Sequence, residues 1–322
     1  MKGFILITLT ILCYSLLAQG PYAPPVGQNG STALYKDSTV FVGWASNCTV
    51  TKGWQDISNT SLGLTSVGTN FDATDKSGIN GVVSLGDGGS ATLTFDGTIY
   101  NGTGADFAVF ENGFGTFLEL AFVEVSSDGI NFFRFDAISL TDTIVQTGGF
   151  GSTDATDLYN LAGKYRAQYG TPFDLNELIG TPGLNVNKVS HIRIVDVVGN
   201  ITSTYATYDS QNRAINDPWP TPFASSGFDL DAVGVINFTP TAVEEQNKTI
   251  SLSVYPNPAF NTVYFNFKEQ ANYSYRLSNI SGKEISNGQL KNLLDISNLK
   301  AGIYFISIFS EDKFTVKKII KQ

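Results

Sequence analysis

The sequence predicts an all-β protein made of two unequal β-sandwiches, the larger one interrupted by a short helical insertion. Three observations carry that expectation. Glycine supplies 32 of the 322 residues, and charged residues make up only 15%, so the chain is poor in the residues that favour helices. Short runs of apolar residues alternate with polar ones at the period of a half-buried strand. Clusters of Gly, Asp, Asn and Ser separate these runs, as turns require. The length suffices for two domains.

Residues 1–18 read as a secretory signal peptide. Lys2 precedes the mostly apolar run 4–17, and Ala18 is the small residue before a cut that would leave Gln19 first. The run is too short and wrongly flanked for a membrane span, and no other stretch approaches the ~20 apolar residues one needs. Leu12 before Cys13 does not fit a lipoprotein signal. Residues 19–34, with Pro21, Pro24 and Pro25, form an extended lead-in. Asp37-Ser38 is a turn before an alternating strand over 39–44, and 47–80 is polar and turn-rich around Trp54.

The stretch 85–135 organises the larger domain, which spans 35–238. Strands are predicted at 91–95, 107–110 and 118–125, with a Ser127-Asp128-Gly129 hairpin turn before Phe132, Phe133 and Phe135. The run 118–125 is apolar at nearly every position, Glu119 and Glu124 excepted, and so belongs in the middle of a sandwich, covered on both faces. A helix is predicted over 152–170, capped by Asp154 or Thr156, with Leu158, Leu161 and Tyr165 on one face; 173–179 adds a short turn. The strand at 189–198 places Ile192, Ile194 and Asp196 on one face and His191, Arg193 and Val195 on the other. Pro218, Pro220 and Pro222 make 216–223 a rigid loop around Trp219, and 232–238 is the closing strand. Residues 239–249 are a linker. Residues 250–322, with strands at 263–267, 273–278, 303–309 and 314–320, read as a small immunoglobulin-like sandwich.

The net charge of −9 argues against a nucleic-acid partner, which needs clustered Lys and Arg. Residues 241–322 hold 10 Lys/Arg and 7 Asp/Glu, and the rest hold 10 and 22. The larger domain therefore carries about −12, a charge suited to cations or to a solvated acidic surface. With Cys13 in the leader, Cys48 has no partner for an intramolecular disulfide and reads as a small buried residue. His191 is the single histidine.

Two constellations carry the expected chemistry. Oxygen ligands for Ca2+ collect at Asp106, Glu111 and Asn112 in one corner, near Asp87, and at Asp217, Asp229 and Asp231 in another; calcium takes 6–8 oxygens of this kind. The same side chains also suit turn capping. Asp196 is a carboxylate on an apolar strand face, costly to bury alone. Trp219, held by its prolines, suits a ligand platform that Trp44, Trp54 and Phe114 can join, or else plugs one end of the sandwich. No G-x-S-x-G, H-E-x-x-H or Cys/His cluster occurs. A glycoside hydrolase needs only two carboxylates, but nothing in the sequence singles out a pair.

Residues 254–258 (VYPNP), 281–283 (SGK), 295–299 (DISNL) before 302–304 (GIY), and the terminal KKIIK at 317–321 resemble the type A sorting domain of the type IX secretion system. The resemblance implies an immunoglobulin-like sandwich that directs outer-membrane passage through the type IX machinery and leaves its cargo secreted or on the cell surface. The stretches VSLGDGGSATLTF (83–95), DFAVFENGF (106–114), LAGKYRAQYGTPFDL (161–175) and NDPWPTPF (216–223) resemble a family of secreted bacterial cell-surface proteins. VEVSSDGINF (123–132) and HIRIVDVV (191–198) are similar to the discoidin/galactose-binding jelly rolls. These resemblances imply a jelly-roll-like sandwich, a glycan or corrinoid-like nutrient as ligand, and an outer-membrane uptake partner. A structural or adhesive surface protein is the alternative.

Overall fold

The computed structural model describes residues 20–241, 250–268, 271–310 and 313–322. The expected leader and linker residues 242–249 lie outside them. Two compact units meet between Thr241 and Ala242.

The first unit contains β1 (Leu34–Tyr35), β2 (Gly43–Trp44), β3 (Asn47–Thr51), β4 (Val83–Ser84), β5 (Ser90–Ile99), β6 (Phe107–Glu111), β7 (Ala121–Ser126), β8 (Phe133–Arg134), β9 (Ile138–Ser139), β10 (Leu158–Tyr159), β11 (Tyr169–Phe173), β12 (Val189–Asp196), β13 (Asp229–Val235) and β14 (Phe238–Pro240). One sheet runs β1-β11-β6-β13-β2, with β4 also on β13; the other runs β14-β5-β12-β7-β8, with β3 also on β5. Phe107, Val109, Val233 and Val235 of the first sheet and Leu93, Val123, Val125, Ile192 and Ile194 of the second form one core. Cys48 joins it, and burial pushes its thiol up to about 12.

β7 explains its own composition. Ala121, Val123 and Val125 face the main core, while Phe122 packs on the outer side with Leu118, Leu120, Leu158, Leu161 and Ile215. A strand covered on both faces needs no polar side. β12 has the expected faces, with Ile192, Ile194 and Asp196 buried and His191, Arg193 and Val195 half-buried.

The helix expected over 152–170 does not form. The segment makes a single 3-10 turn, Ala155–Asp157, then β10, an irregular stretch and β11. Asn160, Gly163 and Gln168 have φ of 50°, 81° and 73°, values that no α-helical residue adopts. Asp154 still caps, accepting from Thr156 N at 2.9 Å, and Leu158 and Leu161 still reach the core. The short turn expected at 173–179 is a 3-10 turn, Leu175–Leu178. The strand expected at 39–44 survives only as β2, because 38–41 close a turn in which Phe41 N donates to Ser38 O.

The second unit contains β15 (Leu252–Tyr255), β16 (Thr262–Phe267), β17 (Tyr273–Asn279), β18 (Glu284–Leu290), β19 (Leu293–Asp295), β20 (Gly302–Ser310) and β21 (Lys313–Lys321). The sheets β15-β16-β19 and β18-β17-β20-β21 enclose Val263, Leu277, Ile306, Ile308 and Ile319.

Candidate functional site: an acidic pocket under an aromatic arc

Strand pairing brings distant carboxylates together. β13 runs antiparallel to β6 with Leu230 opposite Glu111, so Asp229 sits at the same sheet end as Glu111. The chain leaving β6 turns tightly at Phe114–Phe117, where Phe117 N donates to Phe114 O and Gly115 has φ 61°. It then returns through Glu119 into β7. Glu111, Glu119 and Asp229 line a cavity of ≈ 190 Å³, with Asn112, Phe114, Phe117, Phe150 and Phe223 among its other walls.

The four rings form a continuous arc. Phe114 stacks on Phe117 at 5.1 Å between centroids, Phe150 stands 6.4 Å from Phe117, and Phe223 5.7 Å from Phe150. Phe114 is 68% exposed and Phe150 79%, although large apolar side chains ordinarily avoid water in such a cluster.

The carboxylates beneath have unequal partners. Glu111 Oε2 accepts from Gly113 N at 2.6 Å. Asp229 Oδ1 accepts from Ser84 Oγ. Glu119, only 7% exposed, has neither hydrogen bond nor ion pair to its carboxylate among the described residues. Further carboxylates lie within its field. Asp217 accepts from Leu120 N at 2.9 Å, and Asp196 from Phe228 N and Gly88 N at 2.8 and 3.0 Å. Asp87, which acts on Asp196 and Asp217 in turn, accepts from Ile57 N and Trp219 Nε1 at 2.8 and 3.1 Å. Lys52 lowers the cost at Asp229, but its ammonium is held by the carbonyls of Val67 and Ser84.

Burial, followed by repulsion from neighbouring carboxylates, pushes Glu111 and Glu119 well above the usual carboxylate range, and does the same to Asp217. Asp196 rises to about 8 by the same causes. Asp229 rises to about 6 through burial, opposed by its bond from Ser84 and by Lys52. The ligand-free cluster therefore holds protons that ordinary carboxylates would have released, and a cation brought among these groups would draw them off.

The two calcium corners expected from sequence are not built. Asp106 and Glu111 stand at opposite ends of β6, about 17 Å apart by strand rise. Asp106 accepts from Gly102 N, Leu175 N and Asn237 Nδ2, which ties three segments together. Asp231 accepts from Ser77 Oγ and Gly78 N at 2.5 and 2.9 Å, so it too is spent on a loop. Asp217 serves Leu120, and only Asp229 joins Glu111 and Asn112 at the cavity. Among the described residues, no three His, Cys, Asp or Glu side chains converge as a metal site.

The aromatic platform is likewise divided. Trp44 packs with Phe41 and Phe110 at 5.0 and 5.3 Å. Trp54 and Trp219 both bind Asp87, Trp54 through its backbone N to Asp87 O at 3.1 Å. Phe114 alone of the four lines the acidic cavity. Glu119, Phe117, Phe150 and Phe223 were not singled out by sequence as site residues; the one signal was Glu119 as an exception in an apolar run.

A larger cavity of ≈ 580 Å³ lies across the 115–118 segment, lined by Thr116, Leu118, Tyr165 and Lys164. Lys164 gives a hydrogen bond of 2.6 Å to Leu158 O, and burial brings it down to about 8.

Comparison with known proteins decides the second unit. Residues 253–322 match the family model described as Secretion system C-terminal sorting domain. This segment is a type IX sorting domain. The chain is accordingly a secreted or cell-surface protein that engages the type IX machinery. Among the described residues, no helix is long and apolar enough to cross a membrane. Within the sorting domain, Asn257 grips the last strand: its Nδ2 donates to Lys318 O at 2.7 Å and its Oδ1 accepts from Ile320 N at 2.8 Å. Ala259 N adds a bond to Ile320 O.

No curated protein matches the chain. Among solved structures, a β-glucuronidase from Ruminococcus gnavus in complex with D-glucaro 1,5-lactone is 11% identical with a TM-score of 0.20, covering 86% of this chain and 45% of that one. The same enzyme in complex with C6-substituted uronic isofagomine is 10% identical with a TM-score of 0.21, covering 86% and 46%. The chain thus spans less than half the length of these enzymes, and at such scores the likeness carries no argument.

Proposed function

We propose that the first unit is a ligand-binding module, carried outside the cell by the sorting domain, and that its site is the cavity floored by Glu111, Glu119 and Asp229. The observation that carries this reading is Glu119: a carboxyl 7% exposed and, among the described residues, without a hydrogen bond or ion pair, in a cavity it shares with the exposed rings of Phe114, Phe150 and Phe223. A buried carboxyl left unpaired is costly whether it ionises or keeps its proton, and natural folds keep such groups where function needs them. Rings offer a face to a flat or pyranose ligand, and carboxylates accept its polar hydrogens.

Size narrows the ligand. A cavity of ≈ 190 Å³ falls below the ~300–1,000 Å³ of drug-sized sites. It suits one ring, such as a terminal sugar of a glycan, and not a corrinoid macrocycle. Display on the outer face of the outer membrane gives such a module access to its ligand, and an uptake partner would take delivery there.

Thermal melting of the purified chain tests the reading, with monosaccharides, amino sugars, cobalamin, calcium and EDTA as additives. A one-ring ligand at 100 times its dissociation constant is expected to add about 2.7 kcal/mol of stability, with no response to cobalamin. A midpoint that no additive moves, in a chain that nevertheless adheres to cells or matrix, would show a structural or adhesive protein instead.

A further inference from the structure

We infer that the ligand of this pocket carries a positive charge, as an organic ammonium seated among Phe114, Phe117, Phe150 and Phe223 with its charge against Glu119. The inference rests on the reading of the pocket as a ligand site and names the chemistry it selects.

Three features of the cavity point the same way. Its charged lining residues are Glu111, Glu119 and Asp229, all acidic. Glu119 is more than nine-tenths buried, lines the cavity and lacks a hydrogen bond or ion pair among the described residues. Four phenyl rings share the walls with Asn112, Thr221 and Ser225, and ring faces are negative and attract cations within about 6 Å of the centroid. A cation favours the ionised form of these buried carboxyls and offsets the cost of ionising them, which the hydroxyls of a neutral sugar do not.

A bare divalent metal fits less well than an ammonium. Calcium needs 6–8 oxygens at about 2.3–2.6 Å, whereas no three acidic groups converge to that degree among the described residues. An ammonium needs only one close carboxylate and a π-face. Where the ligand is a glycan, the same chemistry selects a free amino sugar over its acetylated form.

The experiment compares matched pairs by calorimetry on the purified chain: choline against 3,3-dimethyl-1-butanol, its neutral isostere, and glucosamine against N-acetylglucosamine. The charged member is expected to bind at least about tenfold tighter, the worth of one charge-assisted contact. Glu119→Gln is expected to remove that preference, and Phe150→Ala, at an exposed position, to weaken both members.

Equal binding of both members that Phe150→Ala still weakens would overturn the charge inference and leave the pocket reading standing. Binding of neither member overturns the inference, and insensitivity of any binding to Phe150→Ala and Glu119→Gln overturns both readings. Calcium binding lost in Glu119→Gln, with no ammonium binding, would overturn the ammonium in favour of a metal.

Discussion

Deletion of residues 253–322 is expected to remove the protein from the cell surface and the culture medium, with the first unit accumulating inside the cell. The deleted segment is the sorting domain, and the two units have separate cores, so the remainder keeps its own packing. Immunoblots of the medium, intact-cell surface and periplasmic fractions read the outcome. The external signal should fall to background while the periplasmic signal rises. An external signal that survives the deletion would mean that another segment carries the address.

Raising the pH from 4 to 8 is expected to destabilise the ligand-free first unit. Asp196 and Asp229 have folded-state pKa values raised to about 8 and about 6, and Glu111, Glu119 and Asp217 are raised well above the ordinary range. The folded state therefore holds protons that the unfolded chain has released above about pH 4. Each group's stabilising contribution is complete below its unfolded pKa. It is lost as pH rises through the folded one, at up to about 1.4 kcal/mol per pH unit per group. Asp196→Asn should flatten the upper part of this window, because it removes the charge and keeps one acceptor for Phe228 N or Gly88 N. Asp196→Ala should instead destabilise at every pH, since it strands two buried N–H groups at about 1–3 kcal/mol each. Urea melts across pH 4–8 distinguish these outcomes. A wild-type midpoint that holds steady across the range contradicts the buried-carboxyl account.

Strand periodicity told faces and covered runs correctly because it is a local property. The alternation in β5, the two-sided burial of β7 and the inward Asp196 of β12 are each set within a few residues. The 152–170 segment misled for a physical reason. Leu158, Leu161 and Tyr165 are all buried, as a helix would have it, but the chain buries them through positive φ at Asn160, Gly163 and Gln168. Spacing alone does not separate the two.

The site was less legible than the fold. Asp106 and Glu111 are close in sequence and far apart across an extended strand, while Glu111 and Asp229 are distant in sequence and joined by the β6–β13 register. Likewise, Phe114, Phe150 and Phe223 come from three loops that meet only after both sheets are assembled. A carboxylate interrupting the apolar run, Glu119, was the local trace of the pocket. Its partners were encoded in long-range pairing, which no single stretch of sequence displays.

The most direct measurement is a crystal structure of the chain soaked with choline. Density is expected in the cavity of Glu111, Glu119 and Asp229, with the cationic nitrogen within about 6 Å of the phenyl centroids and in contact with the Glu119 carboxylate. An acidic cavity that stays empty, or choline bound instead in the cavity beside Tyr165 and Lys164, would contradict it.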